Sequence, residues 1–239
     1  MLETVKKQFS IQWKDWIWVG AFLFGAAVLG MGMHLFIVKI DKTVNTYFAL
    51  GTVFSGVLTA ILGGIMIITQ FGIYFHAEIS LGCRRDYYLL SVYFFDLAAL
   101  LGCLAAVILV NIAENALEAV MYPDLSCEID FLPYLLKWGF PVILLLCVGG
   151  IFCGALLLRF GKRAFWVLWT IWMAACIGGP QVLNAMTEAP DSPLGRIGNF
   201  FMELGKRIPG NAAAVLIVVL LAVCMVFTWK MIKKQEVAL

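Results

Sequence analysis

Several stretches of this chain are apolar over lengths that no water-soluble fold can bury. Trp16 to Val38, Thr43 to Phe75, Trp138 to Leu158, Ala164 to Thr187 and Ile208 to Trp229 contain no Asp, Glu, Lys or Arg, and Tyr87 to Ala113 contains only Asp96. A helix crosses the hydrocarbon layer with about 20 apolar residues, so each stretch is long enough to span. Composition agrees: 63% of the 239 residues are hydrophobic and 13% charged, against roughly 45–50% and 25% in globular domains. Lipid offers backbone amides no partners, which leaves helices or closed barrels, and the period-two alternation of a barrel strand is absent. The expectation is an all-α polytopic membrane protein, a single transmembrane domain over 1–239, with six spans at about 16–38, 46–73, 88–112, 133–158, 164–186 and 211–231. A net charge of +2 with no basic tract speaks against nucleic acid as a partner.

Orientation follows from the excess of Lys and Arg in cytoplasmic connections. With the N-terminus inside, the inner segments hold eleven of the 17 basic residues: Lys6, Lys7, Lys14, Arg84, Arg85, Arg159, Lys162, Arg163, Lys230, Lys233 and Lys234. Lys39, Lys42, Lys137, Arg196, Lys206 and Arg207 fall outside, as does an acidic loop with Glu114, Glu118, Asp124, Glu128 and Asp130. Both termini are therefore expected in the cytoplasm. The first apolar stretch is too long for a cleavable signal and lacks a small-residue cleavage site.

Three segments outside the spans carry information. Over 2–15, Leu2, Val5, Phe9 and Trp13 (and then Trp16) share one helical face, with Glu3, Lys6, Lys7 and Lys14 off it, the pattern of a helix lying in the membrane interface. Over 76–87, on the cytoplasmic side, Phe75, Ile79, Cys83 and Tyr87 step by four, which predicts a short amphipathic helix suited to a partner's groove. In the outer connection 188–210, Leu194, Ile197, Phe200, Phe201 and Leu204 recur with helical spacing, after a Gly178-Gly179-Pro180 run expected to break or kink the preceding span.

The run Ser80-Leu81-Gly82-Cys83-Arg84-Arg85-Asp86-Tyr87 resembles the first cytoplasmic loop of small bacterial permeases of the type-2 ABC-exporter class, departing from it at Cys83, where a hydroxyl residue is common. Gly154 to Trp166 also looks like that family's tight turn between its fourth and fifth spans, and the layout of interfacial helix, six spans and outer helix matches over nearly the whole chain. The resemblance implies a permease subunit in a bacterial cytoplasmic membrane that moves a hydrophobic or amphipathic substrate such as a peptide. It implies two partners, an ATP-binding subunit at the cytoplasmic face and a second permease subunit, identical or homologous. ATP and Mg would reside in the ATPase, with no cofactor in this chain. The docking residues carried over are Glu78, Ser80, Leu81, Gly82, Arg84, Arg85, Asp86 and Tyr87, in a coupling helix over 76–87. The alternative reading is a membrane protein without ATP coupling, such as a bacteriocin-immunity or scaffolding subunit.

Signs of catalysis are missing from the sequence. It holds no phosphate loop of the form G-x-x-x-x-G-K-[ST], no G-x-S-x-G elbow and no H-E-x-x-H zinc helix. His34 and His76 fall on opposite membrane faces, and the seven cysteines form no CxxC pair. Asp96 is the one acid inside a span; a hydrogen bond to a neighbouring hydroxyl or indole is the expected role, ahead of a proton relay. Asn111, Glu114 and Glu118 share a face at the end of the third span and are expected to be solvated. Gly150 and Gly154 form a G-x-x-x-G pair that permits close helix contact, within the bundle or between subunits.

Overall fold

The computed structural model describes residues 2–40, 46–80, 82–123, 125–207 and 210–233. Seven helices follow in order: α1 (Leu2–Ile40), α2 (Leu50–Ser80), α3 (Arg85–Met121), α4 (Leu132–Phe160), α5 (Lys162–Glu188), α6 (Pro193–Arg207) and α7 (Gly210–Lys233). A two-residue parallel pairing of β1 (Thr46–Tyr47) with β2 (Ser126–Cys127) joins the loops before α2 and α4. All except α6 contain windows long and apolar enough to cross a membrane, the architecture of an all-α, multi-pass membrane protein.

Six crossings return the chain to the side on which it began. That side carries the tight turns at Gly82–Arg84 and Gly161 and the last described turn of α7, and is called the turn side; the opposite, loop side carries 46–49, 122–123, 125–131 and 189–192. At about 1.5 Å per residue, the 37 residues of α3 extend about 55 Å, well beyond the roughly 30 Å of hydrocarbon. α3 is therefore much longer than the hydrocarbon layer is thick.

The core lies among α1–α4 and the end of α7, with Ile67, Phe71, Phe75, Tyr88, Val92, Leu100 and Ile151 at its centre. On α1 the buried positions are Gln12, Trp16, Val19, Leu23, Ala27, Gly30 and His34. Their steps of three and four residues make one seam, which meets α2 and α3. The segment 2–15, expected to lie in the membrane interface, runs without a break into the first span as part of α1, where Gln12 is buried and Asp15 bonds to Gln70 and Tyr74 of α2. The side chains of Leu2, Val5 and Phe9 lie outside the described residues.

Close approach depends on missing side chains. A Cβ on Gly30 would sit 2.6 Å from the Leu50 carbonyl oxygen, and one on Gly51 2.9 Å from that of Ala27. Gly150 faces Ile67 and Gly154 faces Phe71, so the G-x-x-x-G pair serves the α2–α4 contact within the chain. Pro180 does not end its helix: α5 continues to Glu188. Only Ala164 of α5 is buried. Its loop-side end is covered by α6, where Gly198 lies against Met186 and Val182.

Candidate functional site

The segment expected to form one coupling helix over 76–87 is instead a helix end, a turn and a helix start. Gly82 adopts a φ of 85°, a left-handed conformation that glycine reaches without a Cβ penalty. Its N–H donates to the Ile79 carbonyl at 3.0 Å, and the Cys83 N–H to that of Glu78 at 3.1 Å, the paired bonds of a Schellman cap that closes α2. The four-residue step Phe75–Ile79–Cys83–Tyr87 crosses this cap: Phe75 and Ile79 belong to α2, Cys83 to the turn and Tyr87 to α3.

The eight candidate docking residues separate accordingly. Ser80, Gly82, Arg84 and Tyr87 are exposed, with the Arg84 guanidinium 5.0 Å from the centre of the Tyr87 ring. Asp86 stands in the first turn of α3, where a carboxylate complements the helix dipole. Arg85 is turned inward: it donates to the carbonyl oxygens of Lys233 at 2.7 Å and Ile232 at 3.5 Å. Those carbonyls lie in the last described turn of α7, so Arg85 ties the turn to the last helix. Glu78 is buried beside Tyr88, with Oε1 lacking a hydrogen bond, so it is not among the exposed residues of this turn. Leu81 lies outside the described residues.

Asp96 is 1% exposed, and its Oδ1 has no hydrogen-bond partner. The expected bond to a hydroxyl or indole is therefore not made at that oxygen, and among the described residues no cation pairs with it. Tyr88 and the Cys147 thiol lie within reach of its field. Also on the turn side, Asp15 Oδ2 accepts from Gln70 Nε2 at 3.0 Å and Tyr74 Oη at 2.9 Å, joining α1 to α2.

The loop side holds a polar network that the sequence reading did not foresee. Glu114 and Glu118, expected to be solvated, are buried because α3 continues to Met121 and packs against α1 and α2 there. Glu114 Oε1 accepts from the Gly51 N–H, and Oε2 from the Thr52 N–H and hydroxyl, each at 2.8 Å. These are first-turn donors of α2 that its own helix cannot satisfy, and the carboxylate also meets the positive end of the helix dipole. Asn111 Nδ2 donates to Thr52 Oγ1 at 3.2 Å, and His34 Nε2 lies 3.4 Å from Glu118 Oε1. Tyr47 Oη donates to Asn115 Oδ1 at 3.0 Å. Burial first, then the Cys127 thiol and the charges of Glu118 and Glu114, pushes the Tyr47 phenol up to about 12. The network is a structural clamp on α1, α2 and α3.

No group of three or more His, Cys, Asp or Glu among the described residues could hold a metal ion. An open groove between α4 and α5 is lined by Leu156, Phe160, Arg163, Ala164, Val167 and Leu168; only Arg163 among them is polar. The chain matches no family model, no curated protein and no solved structure.

Proposed function

We propose that the chain is the membrane-spanning subunit of an ATP-driven exporter, in which a separate ATPase binds the turn side and a second permease subunit completes the path. The cargo is hydrophobic or amphipathic, such as a peptide. The observation that carries this reading is the capped turn: the residues resembling the permease motif gather at one end of the bundle and expose Ser80, Gly82, Arg84 and Tyr87. Exposed Arg159, Lys162, Arg163, Lys230 and Lys233 share that end, and an excess of basic residues marks the cytoplasmic side. ATP binding would act by favouring one conformer through differential contacts at the turn. ATP and Mg belong to the partner; this chain supplies the lever and the path.

The test isolates the tagged chain from bacterial membranes and measures how much phosphate-loop ATPase accompanies it. Arg84→Glu reverses an exposed charge, and the ATPase yield should fall about tenfold, the effect of losing about 1.4 kcal/mol of contact energy. Arg84 is the residue to change because Arg85 also holds α7. An undiminished ATPase yield with Arg84→Glu, or the absence of any ATPase from the wild-type isolate, overturns the proposal.

A further inference from the structure

We infer that α5 is a subunit-contact helix: a second copy of this chain packs its own α5 against the face formed by Thr170, Ala174, Gly178 and Gln181. The inference rests on the two-subunit arrangement proposed above and names its contact. Its test involves no ATPase, so the two can fail separately.

Apolarity and burial fall together at α5, the reverse of what exposure to lipid demands. A helix surrounded by lipid should be the most apolar, since lipid satisfies no polar side chain. The best window of α5 has a mean hydropathy of 1.3, against 2.0 to 2.6 for the other five spans, yet α5 buries only Ala164. The least lipid-compatible span is the one with the least protein around it.

The polar groups of α5 are concentrated on one face. At 100° per residue, Thr170, Ala174, Gly178 and Gln181 fall within about 80° of arc, with Ile177 and Asn184 at its edge. Leu168 and Ala164, which line the groove against α4, and Val182 and Met186, which meet α6, lie on other sides of the helix. Thr170, Ala174, Gln181 and Asn184 are exposed. The Thr170 hydroxyl donates to its own helix at the Trp166 carbonyl, but the amides of Gln181 and Asn184 make no side-chain hydrogen bond within the described residues. Ala174 and Gly178 form a small-x-x-x-small pair of the kind that lets helices approach in lipid. A Cβ on Gly178 would meet nothing within 4 Å.

A second copy fits this face better than an unlike protein. Both copies must cross the membrane in the same orientation, which places their two-fold axis along the membrane normal and makes the two α5 helices parallel. Each residue at the crossing then meets its own counterpart. Ala164 to Thr187 carries no charge, so self-pairing brings no like charges together. A carboxamide both donates and accepts, so Gln181 can bond to the same residue of the second copy. Close packing at Gly178 and this amide pair address both deficits of the isolated helix.

The test uses helical phase. In membranes containing Cys176→Ser with Ala174→Cys, copper-phenanthroline oxidation should give a disulfide-linked species of twice the chain mass. The native Cys176, separated from position 174 by about 160° around the helix, should give at least tenfold less in the otherwise unaltered chain. Adding Gly178→Leu or Gln181→Leu to the Ala174→Cys chain should lower the yield about tenfold. Gln181→Leu makes the span more apolar, so failed insertion cannot account for its loss. An adduct of any other mass, equal yields at positions 174 and 176, or a yield insensitive to both leucine variants would overturn the inference.

Discussion

Two helices of this protein carry small residues spaced four apart, and their surroundings differ completely. On α4, Gly150 and Gly154 are filled from within: a Cβ on Gly150 would lie 2.9 Å from Ile67 Cγ2, and one on Gly154 3.0 Å from Phe71 Cβ and 3.2 Å from the Ile68 carbonyl oxygen. On α5, a Cβ on Gly178 or Gly179 would meet nothing within 4 Å. The same motif thus closes a protomer in one place and leaves it open in another. What decides is the neighbouring helix: α2 presents a branched and an aromatic side chain to α4, whereas nothing in the described chain lies over that part of α5.

Substitutions can break this contrast. The largest effect is expected for Gly154→Leu, which drives a side chain into Phe71 and the α2 backbone; folded protein recovered by size-exclusion chromatography should nearly vanish. Gly178→Leu should leave the protomer's thermal midpoint within about 1 °C of wild type, as its cost falls on association rather than on the fold. If the two variants melt alike, the contrast is wrong. Glu114→Ala comes next: it strands two α2 amides and the Thr52 hydroxyl, at a cost of about 3 kcal/mol in denaturation, while Glu114→Gln should lose less because it keeps an acceptor oxygen. Arg85→Gln should cost about 1 kcal/mol and increase hydrogen exchange at the end of α7. The smallest effect, about 1 kcal/mol or less, belongs to Tyr47→Phe, which removes the bond to Asn115.

Tyr47 also gives a pH test on the packed side of the contrast. Its phenol is pushed up to about 12 from an ordinary 10.0, so the folded form holds its proton more tightly than the unfolded chain. Its contribution to stability is complete below pH 10 and is lost as pH rises towards 12. Denaturation of wild type and Tyr47→Phe should converge across that window. Curves that stay parallel would show that the phenol is not held in this way.

Apolar run length made the six long helices legible, because hydrocarbon thickness sets a length that chance rarely supplies. The ends were less legible. The uncharged run stops at Ala113, so Glu114 and Glu118 read as solvated loop acids; their burial depends on a clamp from α2, a partner more than 60 residues away in the chain. The step Phe75–Ile79–Cys83–Tyr87 imitated one helix, although Gly82 was a visible stop signal within it. Arg85 could not be told from Arg84 by sequence, since only the fold brings the end of α7 alongside. The openness of α5 was likewise hidden: a span's hydropathy is readable, but what surrounds it is not.

The contact of Arg85 with the last carbonyls of α7 has a mechanical consequence. The hinge between the second and third crossings and the final crossing share one bolt, so a pull applied at either is felt at the other. Loading the hinge would strain the last described turn of α7, and stiffening that turn would stiffen the hinge in return.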